Sequence, residues 1–212
     1  MSSDRHGSLK NMDTENGTTP TLDLEPAARQ IAGLLDGIED NCLTGPTPCP
    51  DYAVRELLAH LVGLVTAFRD AGRKSLGPTT DTSPDAALPV LPEGWRKTLP
   101  TLLDELVAAW RDPAARQGMT RAGGVDLSGE VAAMVALNEL VIHGWDLARS
   151  TGQKYEADEA SLRVSLALTT PSDDSPRPGQ LFGPPVPVPA DAPLIDRAVA
   201  MSGRRPDWQP GG

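Results

Sequence analysis

Glu139 and His143 stand four residues apart in the run Asn138-Glu139-Leu140-Val141-Ile142-His143-Gly144-Trp145-Asp146. On a helix this spacing offsets two side chains by roughly 40° around the axis and about 6 Å along it, so both address one spot. His60 lies in a second stretch, Arg55-Glu56-Leu57-Leu58-Ala59-His60-Leu61-Val62-Gly63, where its neighbours are apolar. Two imidazole nitrogens and one carboxylate suffice to hold a catalytic metal with a coordination position left open. The competing reading makes each histidine a satisfied core residue and Glu139 a solvated helix charge. A Glu and a His four apart do not decide between the two by themselves.

Asp146 follows His143 by three and Glu139 by seven. Asp146 and Trp145 are therefore the candidates for a supporting layer around the ligands. For Asp146 the alternative is a structural hydrogen bond or surface ion pair, and for Trp145 simple packing. Tyr52 and Arg55 read as loop anchors near a helix start. The pairs Asp104/Glu105 and Asp173/Asp174 read as solvated charges, since nothing apolar surrounds them to shift a pKa.

The elements that must carry these residues are helical. Ile31, Leu34, Leu35 and Ile38 recur at helical spacing and predict a helix within 22–43, with Pro26 near its start. Gly45-Pro46-Thr47-Pro48-Cys49-Pro50 then breaks the chain. Asp51 is placed to cap a second helix over 52–73, whose inward face of Leu57, Leu61 and Leu64 includes His60. A Pro-, Thr- and Asp-rich loop spans 75–92. A third helix is predicted over 93–111, with Pro100 early in it or at a kink. Arg-Asp-Pro and Ala-Gly-Gly then form a turn region. Ser128 caps a fourth helix over 129–150, and Gly152 stops it. Shorter helices are predicted over 157–169 and 193–201.

Four such helices pack most economically as an up-down four-helix bundle, an all-α fold with short additional helices. Residues 1–21 read as a flexible polar extension and 22–170 as the metal-binding bundle. Ten of the 21 prolines fall between Pro171 and Pro210, so 171–212 reads as a Pro-rich segment. Its Leu181, Phe182, Val186 and Val188 and a short helix suggest that it packs on the bundle.

The formal charge of −10 over 212 residues argues against nucleic acid or an anionic membrane as partner. No uninterrupted apolar run approaches the roughly 20 residues needed to span a bilayer, and the N-terminus has no secretory pattern. These features predict a cytoplasmic protein, a monomer or homodimer. Cys42 and Cys49, the only cysteines, would then stay reduced, and two thiols cannot close a structural zinc site.

Thr47-Pro48-Cys49-Pro50-Asp51-Tyr52-Ala53-Val54-Arg55-Glu56-Leu57-Leu58-Ala59-His60-Leu61-Val62-Gly63 resembles a signature of the DinB-like, mycothiol-dependent maleylpyruvate isomerase family. Glu139 through Gly152 is similar to that family's second signature. Phe182 through Pro189 and Asp196 through Arg204 are similar to its C-terminal run. The resemblance spans roughly residues 22–208 and implies a four-helix bundle. It also implies His60, Glu139 and His143 as catalytic metal ligands. The ion implied is divalent, zinc first, with nickel, cobalt or iron as alternatives, and mycothiol is the implied thiol cosubstrate.

A thiol with a pKa near about 8.5 becomes largely thiolate on such a centre. Addition to an activated double bond, rotation and elimination would isomerise a cis enedione-type acid. Addition or displacement alone would make a thiol S-transferase. In that family the isomerase proper carries a further C-terminal domain, so the resemblance reaches the metal and the thiol more directly than maleylpyruvate itself.

Three functional classes follow. One is a metal- and thiol-dependent transferase or isomerase acting on an electrophilic small molecule. The second is a tailoring enzyme of specialised metabolism (isomerase, lyase or cyclase) that uses the same site as a Lewis acid without a thiol. The third is a non-catalytic metal- or ligand-binding protein. An open metal position with room for a glycosidic thiol favours the first, a narrow apolar cavity the second, a closed site the third.

Overall fold

The computed structural model describes residues 22–83, 87–171 and 183–211. The 1–21 extension, the Asp173/Asp174 pair and the Leu181 and Phe182 contacts lie outside the described residues.

Helix α1 (Glu25–Leu35) is shorter than its apolar pattern suggested, ending where Asp36-Gly37 interrupts it. Ile38 is buried beyond the helix end, and a 3₁₀ turn over Asp40–Thr44 follows. Helix α2 (Val54–Gly72) starts at Val54, and Asp51 does not cap it. Glu56 does that work, its Oε2 accepting the Ala53 N–H at 3.1 Å one turn back. The long loop contains one short turn of helix, α3 (Pro78–Asp81). Helix α4 (Trp95–Arg111) carries Pro100 in its second turn. Helix α5 (Gly129–Ser150) is capped by Ser128, whose Oγ accepts the Val131 N–H, and the chain turns at Gly152 with φ +67°. Helices α6 (Glu159–Thr169) and α7 (Leu194–Met201) complete the described residues.

Between α4 and α5 the sequence pattern suggested only a turn region. The structure has an antiparallel hairpin there, β1 (Met119–Ala122) and β2 (Val125–Ser128), pairing Ala122 with Val125 and Met119 with Ser128. Gly123 and Gly124 make the two-residue turn with φ +59° and +78°, a conformation that opposes other residues but not glycine. The hairpin is stitched to the bundle by Thr120, whose hydroxyl donates to the Ala71 carbonyl at 2.7 Å.

Helices α1 and α2 each pack against both α4 and α5, forming a ring of four, and α6 and α7 add outside it. Ile31, Leu57, Leu58, Leu61, Leu99, Leu103, Leu106, Leu137 and Leu140 fill the centre with almost no solvent exposure. Each such side chain contributes about 1.5–3 kcal/mol relative to exposure. Of these helices α5 is the central one. From Leu140 to Ala148 every residue is buried, because α1, α2 and α6 surround it.

In length and mean hydropathy (1.3) α5 would also suit a membrane span, although no uninterrupted apolar run was evident in its sequence. Here 78% of its most apolar window is buried inside the protein. Glu105 departs from its reading as a solvated charge. It pairs with Arg69 at 2.9 Å and Arg73 at 3.6 Å, tying α4 to α2.

Candidate metal centre

His60 from α2 meets Glu139 and His143 from α5 where the two helices pack. One ligand atom from each of the three lies within 4.8 Å of the others. The Glu139 Oε2 is 3.1 Å from His143 Nε2 and 3.7 Å from His60 Nε2. The imidazole rings stand edge to face, with centroids 4.8 Å apart. The His143 side chain is 8% exposed, and those of His60 and Glu139 keep 16% and 22%. The cluster is therefore largely buried, with His60 and Glu139 in partial reach of solvent.

The spacing that predicted convergence works because α5 is unbroken helix through this stretch. It works also because Gly144 lets the chain behind it come close. A Cβ at Gly144 would lie 2.9 Å from the Tyr155 ring, whose hydroxyl donates to the Val141 carbonyl at 2.9 Å. The helix is thus pressed from behind while His143 points forward.

His143 is held at both nitrogens. Its Nδ1 is 3.0 Å from Asp146 Oδ2, and Asp146 is fully buried. In the neutral ring, with the Nδ1 proton donated to Asp146, Nε2 would keep its lone pair toward Glu139 and His60, as a metal ligand requires. Asp146 in turn pairs with Arg204, whose Nη2 reaches Oδ2 at 3.1 Å and whose Nε reaches Oδ1 at 3.4 Å. Sequence spacing put Asp146 near the centre but gave no signal for Arg204, 58 residues further on.

Charge follows the geometry. Burial alone would lower the His143 pKa, but hydrogen bonds to Asp146 and Glu139 and the charges of both raise it to about 9. Burial would raise Glu139, yet His143 and His60 draw its carboxyl well below the usual range. Asp146 is lowered against its burial chiefly by Arg204, with His143 adding to the effect. At neutral pH the metal-free cluster thus holds a proton among carboxylates, in a place shaped for a cation. Two imidazoles and an ionised carboxylate converging on one point fit a divalent ion.

The Thr47–Tyr52 loop sits beside this cluster and is tied by Thr47. Its hydroxyl reaches the carbonyls of Cys49 and Tyr52, both at 2.8 Å, and accepts the Cys49 N–H at 3.1 Å. Tyr52 is an anchor through that carbonyl, as its position near the helix start suggested. Its ring does more, lying 5.4 Å from His60 between centroids. Arg55 is exposed. Trp145 is a packing residue, buried in the core with the Arg149 guanidinium 5.7 Å from its ring centre.

Both cysteines are free thiols. Burial raises the Cys49 pKa, only partly offset by Arg204, so its thiol stays protonated near neutral pH. Two cavities among the described residues lie elsewhere. One, of about 280 Å³, is bounded by Gly72, Lys74 and Ala115. The other, of about 210 Å³, is bounded by Leu22, Trp110 and Arg116.

Residues 24–148 match the family model of the mycothiol maleylpyruvate isomerase N-terminal domain. The chain belongs to that family. The match covers α1 through most of α5 and includes all three converging residues. Two uncharacterised proteins of Mycobacterium tuberculosis, from strains CDC 1551 / Oshkosh and ATCC 25618 / H37Rv, are each 29% identical to it over 198 residues. Those alignments cover 87% of this chain and 97% of each relative. Among solved structures, the mycothiol-dependent maleylpyruvate isomerase superposes with a TM-score of 0.54 at 17% identity. A histidine-to-alanine mutant of that enzyme gives 0.57 at 16%. Both cover 72% of this chain and 68% of theirs, and at such identity they show the shared helical fold.

Proposed function

We propose that this protein is a metal-dependent enzyme that turns a low-molecular-weight thiol, mycothiol, against an electrophilic small molecule. His60, Glu139 and His143 would hold a divalent ion, zinc before nickel, cobalt or iron. The observation that carries this reading is the convergence of two imidazoles and a carboxylate from separate helices within 4.8 Å. Family membership adds the thiol. A bound ion would supply the Lewis acidity that keeps an incoming thiol deprotonated at neutral pH.

The chain's own residues do the rest. Asp146 fixes the His143 ring, Glu139 offers a carboxylate that stays ionised, and the helix packing excludes bulk water from His143. Cys49, the cysteine in the loop beside the cluster, is held as a thiol, which supports a sulfur that arrives with the cosubstrate. In S-transfer, that sulfur forms one bond to carbon while the leaving group departs with its electron pair. In isomerisation, sulfur adds to an activated double bond, the resulting single bond rotates, and expulsion of the same thiolate restores the alkene. The need for a reduced thiol supports a cytoplasmic reaction.

The experiment is displacement of bromide from monobromobimane by mycothiol with metal-loaded protein, run against glutathione, cysteine and no thiol. Acceleration with mycothiol, lost in Glu139→Gln and His143→Ala, is the expected result. No rate above the metal-free control with any thiol would overturn the thiol step for that electrophile. A second reading, Lewis-acid tailoring without a thiol, is favoured by one feature. The two cavities described above do not lie over the cluster. Metal-dependent turnover of a candidate substrate with all thiols absent would establish that reading.

A further inference from the structure

The C-terminal tail returns to α5, where Arg204 reaches Asp146 beside the cluster. At the end of α7 the Gly203 N–H donates to the Ala200 carbonyl and the Arg204 N–H to the Val199 carbonyl, both at 3.0 Å. This pair of bonds closes a Schellman turn, with Gly203 in the left-handed region at φ +87°. A Cβ at Gly203 would also meet the Gly183 backbone at 2.9 Å. Only glycine serves there, and the turn it makes aims the next side chain, Arg204, at α5. Arg204 spends its donors on both oxygens of Asp146 and on the Ser202 carbonyl.

Beyond it the tail is latched from the other direction. Arg149 of α5 donates from Nε and Nη2 to the Trp208 carbonyl at 3.1 and 2.6 Å, and reaches the Pro206 carbonyl at 3.4 Å. Two arginines, one on each partner, thus fasten the tail to the helix that carries two of the three converging residues.

We infer that Arg204 is a positioning residue for the metal centre, acting through Asp146 on His143. The inference rests on the proposal that His60, Glu139 and His143 bind metal. Its physical content is a fork. A guanidinium holding both carboxylate oxygens fixes the plane of Asp146, and that plane fixes the rotation of the His143 ring. The tail therefore belongs to the site although it contributes no ligand to it.

The direction of the effect separates positioning from charge. Arg204 is a cation near the place a second cation would occupy. If charge were its only influence, replacing it with a neutral residue would tighten metal binding. Positioning predicts the opposite.

The test is zinc affinity by competition with a chromophoric chelator, together with the visible spectrum of the cobalt-loaded protein. The variants are Arg204→Met, Arg204→Lys, Gly203→Ala and Arg149→Gln. We expect Arg204→Met to weaken zinc binding about 10–100-fold and to alter the cobalt spectrum. Arg204→Lys should fall between it and the wild type, keeping charge but losing the fork. Gly203→Ala and Arg149→Gln keep both members of the buried ion pair but loosen the tail that aims Arg204, and should each weaken binding a few-fold. They decide the matter if Arg204→Met fails to fold, as judged by helical circular dichroism of the metal-free protein.

Wild-type affinity or tighter in the folded Arg204 variants, or in both tail variants, would overturn the inference and leave the metal centre standing. A wild-type protein that binds neither zinc nor cobalt would overturn both.

Discussion

The two histidines of the cluster are held in different ways. His143 is 8% exposed and sits on a helix walled in by three others, with Asp146 and Arg204 behind its far nitrogen. His60 stands nearer the solvent, and the Tyr52 ring on the proline-bound loop lies against it. One half of the centre is thus fixed by a chain of charged hydrogen bonds and the other by a ring contact. Charged, buried bonds define orientation to within a narrow range, whereas ring packing tolerates rotation. If it binds an ion as proposed, a centre built this way would keep one ligand rigid and let the other adjust.

The largest expected effect tests whether both halves are needed at all. His143→Ala should bring metal content in the purified protein close to zero by elemental analysis. His60→Ala should reduce it strongly and leave a trace held by Glu139 and His143. Full metal content in both variants would place the ion elsewhere and dissolve the comparison.

Next comes the support on the rigid side. Asp146→Asn keeps the shape of the side chain and removes its charge, and should weaken zinc affinity about 10–100-fold in a chelator competition. An unchanged affinity would mean that His143 is held by packing alone.

The rigid side should also show itself in pH. In the metal-free folded protein His143 titrates at about 9, above the roughly 6.5 of an unfolded chain. Its protonation therefore stabilises the fold fully below about pH 6.5, and this contribution disappears as pH rises through about 9. Thermal melting of the metal-free protein should accordingly weaken between pH 7 and about 9. Zinc must displace the same proton, so its apparent affinity should climb about tenfold per pH unit over that range and then level off. A flat affinity profile would show that no buried proton is released.

The smallest effect belongs to the adjustable half. Tyr52→Leu removes the ring beside His60 and should cost only a few-fold in zinc affinity by the same competition. A loss equal to that of Asp146→Asn would erase the difference between the two sides.

Much of this was legible in the sequence because helical periodicity is a local signal. Glu139 and His143 are one helical turn apart, so their juxtaposition follows from spacing alone. The inward face that includes His60 was equally readable from Leu57, Leu61 and Leu64. What escaped depended on contacts between distant segments or on a short turn. Arg204 reaches Asp146 only because α6 and α7 bring the tail back. The cap of α2 went to Glu56 rather than Asp51 because Thr47 ties the preceding loop into a knot ending at Tyr52. The hairpin did leave a trace, Gly123-Gly124 between Thr-Arg-Ala and Val-Asp-Leu, but four-residue strands are too short for alternation to stand out.

The burial of α5 has a bearing on how the chain is made. The ribosome releases this most apolar helix before α6, which covers one side of it, and before α7, which packs on α6. For that interval the nascent bundle shows an uncovered greasy flank, the kind of surface that chaperones bind and that drives aggregation. Helix α6 acts in this sense as a late-fitted shutter. A chain cut short before α6 should fail in the cell by clumping or degradation before the loss of any catalytic group is felt.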